Sequence, residues 1–249
     1  NAVIHVFGED AMPCLAEIEN EVRKNLNIKN FFYKNRTKNE ALKFPIVPKH
    51  EMTVREYGHS FHCNLSDYLD VGLFLDHRET RQWIGAQCGG KRFLNTFAYT
   101  GSFTVYAAAG GATLTHSVDL SRTYCDWMKK NFELNGMPPE TNWVFKMDTL
   151  EYFRYAKRKK LEFDIIVIDP PTFSRNKGQS FLVQNDHPAL LLAALEILAP
   201  DGFILFSNNC QDFRINRKAL EMCKIAEKYD TVPPDFQAGP TPHHCFIIH

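Results

Sequence analysis

The chain has 249 residues, 44% of them hydrophobic and 23% charged, and its formal net charge is zero. That is enough sequence for one large domain with a small appendage, at the composition of a globular protein. No apolar run reaches the roughly 18 residues of a membrane span, no secretory leader pattern opens the chain, and there is no repeat or low-complexity tract.

The chain opens on Asn1 rather than Met, as expected of a fragment or trimmed chain. Seven cysteines (Cys14, Cys63, Cys88, Cys125, Cys210, Cys223 and Cys245) are scattered and never spaced C-x-x-C. Their odd number and spacing argue against a zinc site or a disulfide framework and point to a reducing, cytoplasmic setting. The ten histidines, His243-His244 included, have no partner at ligand spacing, so no metal is expected. Charge is unevenly spread. Arg23 to Tyr57 carries nine Lys/Arg against three Glu, and a second basic run covers Lys157 to Lys160. Such runs are either solvated faces or phosphate-facing surfaces.

In chain order, residues 13–27 are expected to form a helix, followed by a basic loop around KNRTKN (34–39). VREYGHSFHCNL alternates as a strand pair turning near Gly58. Residues 1–70 thus read as a small basic α+β appendage, and 71–249 as the main domain. From Lys91 strands recur at 92–96, 114–119, 143–147, 163–169, 202–207 and 243–248. Helices are expected between them at 102–109, 121–135, 148–159, 186–198 and 215–229. The clearest is SRTYCDWMKKNFELNG, with Ser121 as its cap and Gly136 closing it. This alternation predicts an α/β fold, a mostly parallel sheet with helices on both faces. Ligands of such sheets bind outside the carboxyl ends of the strands, so the loops that follow the strands hold the chemistry.

After the first of these strands, Thr100-Gly101-Ser102 form a turn that lets backbone approach a ligand, or is plain turn geometry. The G-x-G-x-x-G dinucleotide fingerprint is missing. The next strand ends at Asp119-Leu120, where a carboxylate is placed to accept from both hydroxyls of a ribose, or to cap the next helix. Asp148, after the third strand, either accepts from an adenine amine or caps its helix, or both. The fourth strand, FDIIVID, runs into Pro170 and Pro171, so Asp169 stands on a rigid turn.

The ordered set FLNTFAYTGSFTVYAAAGGA, VDLSRTYCDWMKKNFELNG, DPPTFS (169–174) and FSNN (206–209), with DYLDVGLFLDHRETR (67–81) ahead of it, resembles the Rossmann-like S-adenosylmethionine-dependent methyltransferases of bacterial large-subunit ribosomal RNA. The resemblance runs from about Arg55 to His249 and is nearest to the half of the bifunctional 23S guanine methyltransferases that forms 7-methylguanosine. It implies a sheet whose last strand is antiparallel, S-adenosylmethionine as cofactor, and 23S ribosomal RNA or an assembling large subunit as partner. By position it implies that Asn95, Phe97, Tyr99, Gly101 and Ser102 border the cofactor. Asp119 would hold its ribose, with Leu120 also at the cofactor, Asp148 its adenine, and Asp169, Pro170 and Pro171 the transfer site, with Phe173 against the target base. Asp76, His77 and Arg78 correspond to a segment over the methionine end, where Arg78 would pair with the carboxylate or form an internal salt bridge. Lys34, Arg36 and Lys38 are the RNA contacts expected in the basic loop.

Relatives that make 5-methylcytosine use a cysteine at the position of Asn208. Cys210 lies two residues further on, too far along the chain for covalent attack on the base, so cytosine chemistry is the alternative. A guanine N7 needs no deprotonation, only alignment, with Asp169 and Asn208 orienting the base; N2 must eventually lose a proton, and a carboxylate or carbonyl at Asp169 would draw charge onto the amine. The residues leave both atoms open, and the resemblance favours N7. A small-molecule or protein methyltransferase on the same fold, a nicotinamide enzyme and a non-catalytic RNA-binding module are the competing readings.

Overall fold

The computed structural model describes residues 1–37, 39, 42–45, 47–176 and 179–249. Two units make up the chain: Asn1–Val54 with His62–Leu73, and Arg55–Phe61 with Phe74–His249.

In the first unit, β1 (Ala2–Val6) pairs in parallel with β2 (Phe31–Asn35), and the crossover between them contains α1 (Leu15–Leu26). Sequence reading found the helix but not the two strands, which are too short to show a period. A hairpin of β3 (Glu51–Glu56) and β4 (His59–Asn64) turns through Tyr57 and Gly58, both at positive φ (46° and 88°) as a two-residue turn of this hand requires. The tip of that hairpin belongs to the second unit, so the border expected at residue 70 is not a single cut in the chain.

The second unit is built on a seven-stranded sheet. Its strands are β5 (Arg92–Thr96), β6 (Leu114–Asp119), β7 (Asn142–Lys146), β8 (Phe163–Ile168), β11 (Leu198–Asn208), β12 (Ile225–Glu227) and β13 (His244–Ile248). Their spatial order is β12-β13-β11-β8-β5-β6-β7; β11, β8, β5, β6 and β7 run parallel, and β13 is antiparallel to β11. The helices are α2 (Arg78–Gln87), α3 (Ser102–Ala109), α4 (Arg122–Leu134), α5 (Thr149–Lys159) and α6 (Val183–Leu195). Between β8 and α6 the chain makes a small hairpin of β9 (Phe173–Asn176) and β10 (Gln179–Leu182). The α/β class and the antiparallel last strand are as expected from sequence.

Strand alternation divides the core. Ile166, Ile168, Ile204 and Phe206 face Tyr152, Phe153, Leu190 and Leu191 of α5 and α6. Ile165, Val167 and Leu205 face Ile84 of α2 and Phe103 and Ala107 of α3. An unbroken apolar strand such as β8 is therefore buried on both sides. The chain builds β5, β6 and β7 outward in one direction and then returns to place β8 on the other side of β5. That reversal opens a crevice at the carboxyl ends of β5 and β8.

The helix expected at 215–229 does not form. Residues 217–223 make turns, Leu220 is buried, and Ile225–Glu227 pair with Phe246–Ile248 along the free edge of β13. Edge pairing and burial outweigh helix propensity, which is only a few tenths of a kcal/mol per residue. Among the described residues no helix is long and apolar enough to cross a membrane.

One buried charge anchors the start of α2. Arg81, 1% exposed, donates from Nε and Nη2 to the two carboxylate oxygens of Glu56 (2.9 and 2.8 Å) and from Nη1 to Phe74 O (2.9 Å). Tyr106 Oη donates to the same carboxylate. Arg81→Met keeps the volume and strands the Glu56 charge. It is expected to cost about 3–5 kcal/mol, read as a fall of roughly 10 °C in Tm; an unchanged Tm would contradict this role.

Candidate active site

The loop leaving β5 is bent by backbone torsions that most side chains avoid. Phe97 and Tyr99, neither a glycine, have φ of 53° and 50°, and Gly101 follows at 76°. Each left-handed non-glycine residue costs about 1–2 kcal/mol, so the loop needs an external hold. Ala98 N donates to Val118 O, Tyr99 N to Asp119 Oδ2 at 2.9 Å, and Asn131 Nδ2 to Thr100 O at 2.8 Å, while Gly101 N closes the turn on Ala98 O. The Tyr99 ring is further wedged among Phe74, Tyr124 and Trp127. Gly101 is required twice over, since a Cβ there would also come within 2.3 Å of Met128 Cγ. Asn95 is buried beneath the loop and donates to Thr104 Oγ1 at 3.1 Å, tying β5 to α3, while Ser102 opens α3.

Asp119 receives one backbone N–H on each oxygen, Tyr99 on Oδ2 and Ser121 (2.8 Å) on Oδ1. It does not cap α4; Ser121 Oγ does, accepting from Tyr124 N. Burial raises the Asp119 pKa, and the backbone hydrogen bonds only partly offset this. Each oxygen retains acceptor capacity beyond its backbone partner. Leu120 beside it is 47% exposed. Asp148, by contrast, caps α5 through Oδ1, accepting from Leu150 N and Glu151 N at 2.9 and 3.1 Å. Both readings offered for Asp148 were a cap and an adenine contact; the cap is what the geometry shows.

On the other side of β5, Asp169 follows the end of β8. Because Thr96 is in register with both Val118 and Ile168, the two acids stand one residue past matched positions, two strand spacings or about 10 Å apart. Withdrawal from solvent, helped by the nearby Asp76 carboxylate and opposed by a hydrogen bond from Ser207, pushes Asp169 up to about 6, although 31% of its side-chain surface stays open. His77 Nε2 lies 3.7 Å from Asp169 Oδ2 and 3.3 Å from Ser207 Oγ. Pro170 is buried and Pro171 exposed. Phe173 is 50% exposed, with the Arg175 guanidinium 5.4 Å from its ring centre.

At the end of β11, Asn208 is fully buried. Its Oδ1 accepts from Cys210 N at 3.1 Å, which turns the amino group the other way, and that Nδ2 has no hydrogen-bond partner among the described residues. A buried orphan donor is uncommon enough to mark a binding position. Cys210 packs against the apolar core.

The remaining candidates are engaged within the protein. Asp76 accepts from His243 Nδ1 (2.9 Å), and Arg78 forms a two-pronged pair with Asp235 and a contact to Glu79, the internal salt bridge of its two readings. Lys34 and Arg36, the expected phosphate contacts, are also engaged within their unit. Lys34 is buried, donates to Ser66 O at 3.1 Å and has its pKa lowered by burial, while Arg36 is ion-paired with Asp70. Short side-chain and backbone acceptors inside the unit claim both cations. Lys38 lies outside the described residues. Sequence reasoning missed His243 and Ser207. The alternation of His243 and Cys245 at the last strand was the available signal, but it has meaning only once that strand is known to lie beside β11.

The chain is similar to known proteins along most of its length. Residues 28–238 match the family model described as S-adenosylmethionine-dependent methyltransferase, and the chain belongs to that family. S-adenosylmethionine is the family's cofactor. The chain is 45% identical over 201 residues to the "Ribosomal RNA large subunit methyltransferase K" of Neisseria meningitidis serogroup B, covering 80% of this chain and 56% of that protein. It is 43% identical over 198 residues to the "Ribosomal RNA large subunit methyltransferase K/L" of Allochromatium vinosum, covering 78% of this chain and 27% of that protein. The chain thus spans about half or less of the curated relatives' length. Among solved structures, a putative methyltransferase of Streptococcus mutans is similar with a TM-score of 0.84 at 29% identity, over 99% of this chain and 68% of that one. A structure of equal similarity contains S-adenosylhomocysteine.

The raised pKa of Asp169 gives a stability test. Its stabilising protonation is complete below the unfolded value of 3.8 and is lost as pH rises through about 6. Asp169→Asn is therefore expected to stabilise the protein at pH 7.5 by about 1–2 kcal/mol, after discounting for its open edge, and to leave stability at pH 4 unchanged. Thermal melts at both pH values check this, and destabilisation at pH 7.5 would contradict it.

Proposed function

We propose that this chain carries a methyl-transfer site that modifies a guanine of 23S ribosomal RNA in the cytoplasm, with N7 as the favoured atom. The observation that carries the reading is the buried Asn208 amino group without a partner among the described residues, at the end of the strand paired with β8, which leads into Asp169 and the exposed Phe173. Similarity to relatives named as large-subunit ribosomal RNA methyltransferases supports the substrate class. The bound cofactor supplies an electrophilic sulfonium methyl. Asp119 would hold its ribose hydroxyls, with Phe97, Tyr99, Gly101 and Ser102 lining the approach, Leu120 and Asp148 toward the adenine, and Asp76 toward the methionine end.

Around the base, the parts divide by hydrogen-bonding character. A donor at Asn208 suits guanine O6, the acceptor next to N7, and leaves the N7 lone pair free for the methyl group. Phe173, backed by the Arg175 cation, offers a ring on which a base taken out of its stack can lie. Pro170 and Pro171 hold Asp169 beside it without consuming backbone donors. N2 is the second reading, favoured by Asp169 itself. A carboxylate whose pKa is about 6 can accept the proton that an amine must lose. Cytosine C5 chemistry has less support, since Cys210 is engaged in core packing and Asn208 stands where the nucleophile would be needed.

Mass mapping of methylated nucleosides in 23S ribosomal RNA from cells with and without the protein tests the reading. Loss of one 7-methylguanosine is the expected result and loss of one 2-methylguanosine the second; loss of a 5-methylcytosine, or unchanged ribosomal RNA, would overturn it. In the purified protein Asp169→Ala is expected to lower kcat by about 10²-fold or more, with little change in cofactor affinity.

A further inference from the structure

Behind Asp169 lies a set of buried polar groups to which the reaction assigns no task. His77 and His243 stack face to face, ring centres 3.8 Å apart and planes 14° apart. Cys245 completes a trio whose potential ligand atoms lie within 4.8 Å of one another. The stack does not suit a metal ion. Imidazole lone pairs lie in the ring plane, so an ion held in the plane of one ring lies out of the plane of the other. The hydrogen bonds point elsewhere.

Hydrogen-bond partners bracket both rings. Thr231 Oγ1 lies within reach of both Lys228 O (3.3 Å) and His243 Nε2 (3.1 Å). Asp76 accepts from Nδ1 of the same ring at 2.9 Å. With the Thr231 proton on Lys228 O, His243 carries a proton on both nitrogens. His77 Nδ1 lies 3.4 Å from Thr80 Oγ1, which itself reaches Thr231 O (3.5 Å). His77 Nε2 faces Ser207 Oγ and Asp169 Oδ2.

We propose that His243 is a positioning residue for methyl transfer: clamped between Asp76 and Thr231 and stacked on His77, it holds the buried pair of rings against which the Asp169 carboxylate is set. The proposal rests on reading Asp169 as the carboxylate of the transfer site. The electrostatics agree with the hydrogen bonds. Despite burial, the bond to Asp76 and the neighbouring Cys245 raise His243 to about 9, whereas burial and the His243 charge lower His77 to about 3. Asp76 stays below the usual carboxylate range because His243 and His77 outweigh its burial. The other charge facing this set is Arg81, itself neutralised by Glu56. Asp169 is thus the one member of the set that changes protonation near neutral pH, and the fixed positive charge of His243 keeps His77 from competing for its proton.

Removing that charge raises the proton affinity of both His77 and Asp169. In His243→Gln the acid limb of the kcat profile, measured with 23S ribosomal RNA from cells lacking the protein, is expected to move up by about one pH unit. Turnover should fall about threefold at pH 6.5, approach a tenfold fall below pH 5.5 and barely change at pH 8.5, with the KM for S-adenosylmethionine unchanged; His243→Lys should return the limb toward its original position. Long-range ¹H–¹⁵N spectra of the unmodified protein read the rings without any variant or substrate. They should show His243 doubly protonated through pH 8 and His77 neutral at pH 7. A neutral His243 at pH 7, an acid limb unmoved in His243→Gln, or stoichiometric zinc lost with His243 would overturn the proposal. If instead Asp169→Asn keeps full turnover while the spectra are as expected, it is the role given to Asp169 that fails.

Discussion

A single backbone N–H, that of Tyr99, reaches across from the β5 loop to the carboxylate of Asp119 at 2.9 Å, and the shape of the binding crevice depends on it. Phe97 and Tyr99 sit in left-handed torsions that cost free energy on their own. They persist because Asp119 fixes the loop from β6 while Gly101 presses against α4. The same carboxylate therefore shapes the crevice and offers the acceptors that a ribose needs. Its burial leaves it ready for a neutral hydrogen-bonding partner, whereas a cation in its place would close the site.

The second acid, Asp169, occupies the matching crest on the far side of β5, and its surroundings are organised differently. Asp119 is satisfied by backbone donors, whereas Asp169 faces side chains from α2's entry, β11 and the start of β13. Three separate stretches of chain converge there only because β13 returns antiparallel beside β11, with Cys245 opposite Ser207. The fold holds the Asp169 carboxylate at a cost to stability, a trade common at sites of chemistry.

Much of this was legible in the sequence because it is local. Ser121 and Asp148 are caps at helix starts, Gly136 has the positive φ of a helix stop, and the apolar run of β8 ends on Asp169 as its composition dictates. What was not legible depends on partners distant in sequence. Arg78 finds Asp235, Lys34 finds Ser66, and His243 finds Asp76, none of which a local pattern can announce. The segment 215–229 has helical composition, but the open edge of β13 offers hydrogen bonds and burial that a surface helix lacks. Asn208 fell between these cases: its place after β11 was foreseen, and its buried, unpartnered amino group was not.

The account turns on Asp119 holding a ribose diol at the end of β6. Calorimetry with S-adenosylhomocysteine and its 2′,3′-dideoxy analogue, on the unmodified protein and on Asp119→Ala, measures that contact as a coupling. Asp119→Ala should weaken S-adenosylhomocysteine binding by about 100-fold or more, as for a charged hydrogen bond lost twice, and should weaken the already poor dideoxy analogue by a distinctly smaller factor, through the loop alone. Equal losses for both ligands would contradict the account, since Asp119 would then act on the loop alone.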